Sequence, residues 1–488
     1  MKSLLKEAGP QSTRGLKDDV ELQPHQKDAL EHAEGKPGTL LHHGTGSGKT
    51  VTALAAAEQK GGNTLAVTPA SLTQNYDKEV EKFVKPERQD AHQSVSYAKF
   101  RKDPDQYLDE HDPDSLVFDE IHRLRNPTQA REAAQYARDK VDHAVGLTAT
   151  PTHNHPKDIA QQVNLVAGDK VISQDEIEQE HIDRAKESPG VMGWLRGAEA
   201  GETKSIKNKD QLKEKLGPYV HRHEPDSEHF PDVEKEEVEV PMSSKQEDMI
   251  KQLEKNNPAL AHKMKHNLPP SKQEASNLNA FLQGTRQIAN TPATHDQSVD
   301  DPVEASPKMQ RVLDDLKEDA EGDDDFRGAV FSNYLGAGAK PIIDKTKEDE
   351  DAPEGGLYEG SLSRSKRKEL LNQFEEGDKQ VLGLSPAGSE GLDLKGVRTM
   401  SVLEPDWNPR TTEQAVGRAA RYKSHEHLPE DKQKVNIRRY KSVHPEKWHH
   451  KIPGVDKPTS PDEYLESIEQ EKSELNQEFE DAIHQGGS

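Results

Sequence analysis

Short apolar runs separated by long polar stretches set the rhythm of this chain. In the first third, TLL at Thr39–Leu41, TLAVTP at Thr64–Pro69, SLVFDE from Ser115 and AVGLTATP at Ala144–Pro151 each give way to histidine, proline or acidic residues. Apolar runs this short, rich in β-branched residues and ending abruptly, predict buried strands. Between them, LQPHQKDAL from Leu22, VTALAAAE from Val51 and ASLTQNYDKEVEKF from Ala70 carry helical composition or spacing. Strand and helix in alternation predict an α/β fold with a parallel sheet and a ligand at the carboxyl ends of its strands. The alternation returns late in the chain, in GAVFSNYL from Gly328, QVLGLSPAGSEGLDL, TMSVLEPDWNP, TTEQAVGRAARY and KVNIRRYKS. Two similar α/β lobes are therefore expected.

The pattern divides the chain into a frayed polar N-terminus over 1–20, a first lobe over 21–165, helical insertions and a connector over 166–304, a second lobe over 305–450 and a charged helix within 451–488. In the connector, Val238–Val240 reads as a crossover strand, followed by a helix capped at Ser243 or Ser244. The tail opens SPDE, with Ser460 as N-cap and Pro461 at the first helical position, and reads as one helix to Ile483.

Composition changes this picture in three ways. Only 30% of the 488 residues are apolar, so small cores and long solvated segments are expected. The formal net charge of -24 is awkward for a nucleic-acid binder, which needs a basic surface for phosphates. Local patches are the way out: Arg410 to Lys451 carries a net of about six positive charges, including Arg438, Arg439 and Lys441, and Arg364, Lys366, Arg367 and Lys368 form a second cluster. The absence of cysteine excludes disulfides and thiolate chemistry and suits an intracellular protein. No apolar signal segment opens the chain and no run of about 18 apolar residues occurs, so neither secretion nor membrane contact is expected.

The candidate chemistry centres on GTGSGKT, which runs through Gly44, Thr45, Gly46, Ser47, Gly48, Lys49 and Thr50 between a strand and a helix. It carries the G-K-[ST] end of G-x-x-x-x-G-K-[ST], with three residues rather than four between Gly44 and Gly48. Glycines let the backbone wrap round phosphates, and the helix start offers free N–H groups. Lys49 is expected at the β- and γ-phosphates of ATP, and the Thr50 hydroxyl on Mg²⁺. Asp119 and Glu120 end a strand some seventy residues on. Asp119 is placed to hold the same Mg²⁺ and Glu120 to orient and deprotonate the attacking water. Thr148, Ala149 and Thr150 form a polar strand exit that either senses the γ-phosphate or simply ends the strand. Arg418 and Arg421, three apart on a predicted helix, read either as arginine fingers or as a solvated basic face. The 23 histidines include pairs at 42–43, 153/155, 221/223, 425/427 and 449–450. None has cysteine partners or H-E-x-x-H spacing, so no structural metal is expected.

Taken in order, LQPHQ, GTGSGKT, TPASLTQNY, DEIHRLRNP, GLTATP, VFSNY, SPAGSEGLDL, DWNP and QAVGRAAR resemble the serial motifs of superfamily 2 helicase-like ATPases. DEIHRLRNP, TRQIANTP and DWNP followed by QAVGR resemble the Swi/Snf-like branch, and HHGTGSGKT and SHEHLPEDKQKVNIRRY, with the DEYLESIEQEKSELNQEFEDAI tail, are similar to versions found in large DNA viruses and phages. The resemblance implies two RecA-like lobes driving movement along double-stranded DNA by ATP hydrolysis, with RNA as the alternative track. A nucleotide-binding scaffold without turnover is a third reading. By position, Gln26 would contact adenine, Gly391 and Asp393 would lie near the nucleotide, Gln414 at the lobe junction, and Arg418 and Arg421 as fingers. Ser71 and Ser332 would lie near the DNA backbone, and Arg222 would match a basic position of the bridge between lobes. His43 and Gly44 depart from the branch, as do Ser389 and Asp393.

Overall fold

The computed structural model describes residues 15–152, 155–187, 201–224, 230–268, 275–386, 392, 394–406, 409–446 and 458–484. In the first part of the chain they form β1 (Gly38–His43), β2 (Thr64–Thr68), β3 (His92–Ser96), β4 (Ser115–Asp119), β5 (His143–Thr148), β6 (Ile182–Glu187), β7 (Gly201–Ile206) and β8 (Val220–His223). The second part holds β9 (Asp232–Pro241), β10 (Gly328–Phe331), β11 (Gly355–Tyr358), β12 (Val381–Leu384), β13 (Thr399–Val402) and β14 (Lys434–Val443). One six-stranded sheet has the order β3-β2-β4-β5-β1-β8, a second has β11-β12-β10-β13-β14-β9, and β6 and β7 pair separately. Every pairing within the two large sheets is parallel.

Alternate residues of each central strand enter different cores. Leu40, Leu65, Val67, Leu116 and Phe118 pack on one face of the first sheet, with Ile159, Val163 and Val166 of the helix Ile159–Ala167. Leu41, Ala66, Val117 and Val145 pack on the other, with Val51, Ala53 and Leu54 of the helix Lys49–Lys60. Burial on both faces is why these strands read as unbroken apolar runs. The second sheet repeats the arrangement, with Val330 and Val381 on one side and Ala329, Phe331 and Leu382 on the other.

The differences from expectation have identifiable causes. β3 (HQSVS) and β8 (VHRH) carry too few apolar residues to announce strands, and backbone pairing to buried neighbours makes them so. The predicted crossover strand is Asp232–Pro241 rather than Val238–Val240, because its acidic first half runs in register with β14. Lys434 faces Glu234 at 3.7 Å, Arg438 faces Glu236 at 3.1 Å and Lys441 faces Glu239 at 3.6 Å. Arg438 also binds both carboxylate oxygens of Asp319, and Arg439 lies 3.6 Å from Glu469. The Arg438–Lys441 run is thus engaged internally, which corrects its reading as a phosphate-binding surface; Lys366 and Lys368 are exposed. At the N-terminus the frayed region stops short of residue 20: Leu16 is buried and bridges Val84.

By internal contacts the chain forms two compact units, Met1–Ala185 with Lys204–Pro225 and Glu474–Ser488, and Lys186–Thr203 with Asp226–Ser473. The C-terminal helix runs Pro461–His484, and Ser460 caps it by accepting from the Glu463 N–H at 3.2 Å. Leu475 and Phe479 of its later half join the first unit's core, and Tyr464 of its earlier half joins a core of the second. Among the described residues no helix is long and apolar enough to cross a membrane.

In the second unit, Lys308 and Asp462 form a fully buried ion pair at 2.8 Å, and the same carboxylate oxygen accepts from the Ser442 N–H at 2.8 Å. Removing one charge leaves the other uncompensated in the core. Lys308→Met is expected to cost about 3–5 kcal/mol in urea unfolding of this unit, and Lys308→Met with Asp462→Asn to recover most of that loss.

Candidate nucleotide site

The site is built at the carboxyl end of the first sheet. β1 carries all six residues buried and delivers the chain to Gly44, and the loop ends where Gly48 caps the helix Lys49–Lys60. Gly46 and Gly48 take φ of 85° and 76°, a left-handed backbone that favours glycine. Two residues of the helix Pro24–Ala33 brace this loop. Gln26 accepts from the Gln23 N–H at 2.8 Å and donates to the Gly48 carbonyl at 3.4 Å. A Cβ on Gly48 would stand 2.7 Å from the Gln26 carboxamide nitrogen, so glycine permits this approach. His25 Nε2 donates to the Ser47 carbonyl at 2.9 Å while its ring stacks on His223, centroids 3.6 Å apart and 4° from coplanar.

The loop closes on itself as well. Ser47 Oγ donates to the Gly44 carbonyl at 2.8 Å, and Lys49 Nζ donates to the carbonyls of His43 and Gly44 at 2.9 and 3.0 Å. The Gly44 N–H donates to the His223 carbonyl at 2.8 Å, so β8 fixes the point where the loop begins. Behind it runs a histidine chain. His221 Nε2 donates to Asp28 at 2.9 Å, which leaves His221 Nδ1 to accept from His43 Nε2 at 2.8 Å. Burial first, then His221 and Lys49, hold the His43 ring down to about 2, so it stays neutral.

Asp119 ends β4, and Glu120 follows in a left-handed conformation (φ 50°, ψ 49°). Asp119 Oδ1 accepts from the Glu120 N–H at 3.0 Å, and the Asp119 carbonyl accepts from the Tyr97 hydroxyl at 2.9 Å. Burial, and then the charge of Glu120, push the Asp119 carboxyl above the usual range against the pull of Lys49. His122 Nδ1 lies 3.3 Å from Glu120 and 3.1 Å from Thr148 Oγ1, which accepts from the Thr150 N–H at 2.9 Å. Burial and then Arg125 hold His122 down to about 3. A neutral imidazole thus joins the acid pair to the exit of β5.

The first unit brings together Gln26, the loop from Gly44 to Thr50, Asp119 and Glu120. His25, His122, His221 and His223 went unassigned; their signal was position, beside Gln26, after the acid pair and on an unrecognised strand. Arg222 lies on β8 and pairs with Asp481 at 3.0 Å. Ser71 is exposed just past β2.

In the second unit, Gln414 and Arg418 lie on the helix Pro409–Ala419. Arg421 falls past its end, because the Ser424 hydroxyl accepts from the Arg421 N–H at 3.1 Å and donates to its carbonyl at 2.7 Å, closing a turn. The expected shared helix face for the two arginines is therefore not formed. Ser332 is buried and donates to Glu404 at 2.9 Å, so its hydroxyl is not presented to a phosphate backbone. Gly391 and Asp393, with Ser389, His153, His449 and His450, lie outside the described residues.

Three protein families match parts of this chain. A family profile for the res subunit of type III restriction enzymes matches residues 19–153, one for the SNF2-related domain matches 94–294, and one for the helicase conserved C-terminal domain matches 318–423. A protein of Acanthamoeba polyphaga mimivirus, provisionally named an ATP-dependent RNA helicase, is 27% identical over 476 residues, covering 94% of this chain and 95% of the relative. A termination factor NPH-I homolog of African swine fever virus is 32% identical over 127 residues, 24% of this chain and 18% of the relative. Among solved structures, the Sulfolobus solfataricus SWI2/SNF2 ATPase core in complex with dsDNA is 20% identical, covering 89% of this chain and 90% of that one at a TM-score of 0.37. The Pyrococcus furiosus Hef helicase domain is 17% identical, covering 86% and 96% at a TM-score of 0.48.

The matched domains are those of superfamily 2 helicase-like ATPases, and they support an enzyme whose ATP hydrolysis depends on nucleic acid. The chain carries them on two α/β units, each with a six-stranded parallel sheet. Within that class the SNF2-related match supports a likeness to the Snf2-like group.

The brace at the loop is open to a direct check. His25→Phe keeps a ring to stack on His223 and loses the bond to the Ser47 carbonyl. Losing a hydrogen bond worth about 1 kcal/mol is expected to lower the melting temperature by a few degrees and to weaken ATP binding by up to roughly fivefold, measured by titration with a fluorescent analogue. Unchanged affinity would leave the bond without a role in shaping the loop.

Proposed function

We propose that this ATPase moves along duplex DNA, coupling the hydrolysis cycle to steps on the backbone. What supports ATP chemistry is one arrangement: the loop after β1 and the acids after β4 lie at the same end of one parallel sheet, with Lys49 and Asp119 electrostatically coupled. What supports duplex DNA is the SNF2-related match over residues 94–294, which includes the acid pair. In this reading Lys49 binds the β- and γ-phosphates, Gln26 reads adenine, and Thr50 and Asp119 hold Mg²⁺. A hydroxyl and a carboxylate are the oxygen donors that ion prefers, and the ion would neutralise phosphate charge. Glu120, 3.3 Å from His122, orients and deprotonates the attacking water. The parts given to Gly391, Asp393 and Gln414 near the nucleotide, and to Arg418 and Arg421 at the transferring phosphoryl group, rest on motif order alone.

RNA is the second reading, favoured by the name of the mimivirus relative. ATP turnover measured with duplex DNA, single-stranded DNA and RNA separates the two. Duplex DNA is expected to stimulate most and to support displacement of a triplex-forming strand; stimulation by RNA alone sinks the proposal. Lys49→Ala is expected to weaken nucleotide binding. Glu120→Gln is expected to bind ATP normally and turn over about a hundredfold more slowly or worse.

A further inference from the structure

Away from the nucleotide site, the first unit carries a side-chain cluster that the ATPase cycle does not use. After Ser173 the chain makes a capped turn, Gln174–Glu176, in which the Ser173 hydroxyl accepts from the Glu176 N–H at 3.1 Å. It then widens into a π-helical turn, Ile177–His181, and enters β6. π-turns of this kind are costly and recur where side chains must be brought to one point. Here the turn brings Glu176, Glu180 and His181 together, with one ligand atom from each within 4.8 Å of the others.

His181 makes the cluster more than a pair of surface acids. It is fully buried, and neither Nδ1 nor Nε2 has a hydrogen-bond partner among the described residues. A buried imidazole without a partner is unusual, because desolvating its two nitrogens costs free energy that a bond must offset. The backbone round it is tied down: the His181 carbonyl accepts from the Lys207 N–H at 2.9 Å, and the Glu180 carbonyl accepts from Asn208 Nδ2 at 2.7 Å. Both donors follow β7, so the cluster sits where the chain enters and leaves the β6–β7 pair. A lysine, Lys215, lies on the Glu176 carboxylate and also feels Glu180. A positive charge is thus already favoured at this point.

We propose that Glu176, Glu180 and His181 form a site for a transition-metal dication of the zinc kind, which clamps the base of the β6–β7 pair. Two carboxylates and one imidazole suit zinc, with water as fourth ligand, better than magnesium or calcium, which prefer oxygen throughout. Lys215 competes for Glu176, so metal binding would release its ammonium.

The test titrates Zn²⁺ into the metal-stripped full chain with Mg²⁺ in excess, so that the phosphate loop does not report. One zinc per chain is expected. Glu180→Gln, at an exposed position, is expected to weaken binding by about tenfold or more, His181→Gln to abolish it, and Lys215→Met to tighten it. With Co²⁺ as probe, the wild type is expected to show a tetrahedral visible spectrum that Glu180→Gln loses. No stoichiometric uptake, or uptake equal in the wild type and Glu180→Gln, would overturn the proposal.

Discussion

β1 is paired along both edges, to β5 on one side and β8 on the other, and the nucleotide site hangs from that strand. A strand held on both sides has no freedom in where it ends, so the loop leaves at a fixed point and in a fixed direction. β8 comes from some 180 residues further along the chain, yet its last residue receives the first N–H of the loop. The same strand brings His221 and His223 to His43 and His25. On the proposed reading, phosphate binding depends on a long-range pairing as much as on the glycines of the loop itself.

How much was legible follows from the same physics. Strands buried on two faces cannot contain polar residues without cost, so β1, β2, β4, β5 and the second-lobe core strands wrote themselves as apolar runs. The loop was legible because its chemistry is local: glycines at positive φ, a lysine, and a helix behind. β3 and β8 were not, since their polar side chains find partners that no local pattern records; His92 on Glu58 at 2.6 Å is one. The histidines round the loop were visible as residues but not as a chain, because His43 and His221 meet only after β8 docks. Arg421 failed for a smaller reason: Ser424 stops the helix after Ala419, and a serine three residues on is a weak signal.

Charge was the most misleading guide. The formal net charge of -24 implied that every basic run is precious for binding an anionic polymer, and the densest run lies on β14. In the fold that run holds the acidic strand β9 in register and meets Asp319, Glu466 and Glu469 besides. Like-charged neighbours on β9 would repel without it; cross-strand pairs turn that repulsion into the means of placing an edge strand. The arginines serve architecture first. Any surface for a phosphate backbone must be sought elsewhere, among exposed groups such as Lys366 and Lys368.

Glu120 carries a backbone that glutamate does not favour, at φ 50° and ψ 49°. Holding a non-glycine residue there costs on the order of 1 kcal/mol, which the strand before it and the turn after it impose. Glycine at this position would relax the chain and, on backbone grounds alone, make the protein more robust. It would also delete the carboxylate to which we assign the activation of water. Selection for stability and selection for turnover pull this one position in opposite directions. Its identity is accordingly a sharper diagnostic than the phosphate loop: a relative with glycine there has traded catalysis for durability, whatever its lysine says.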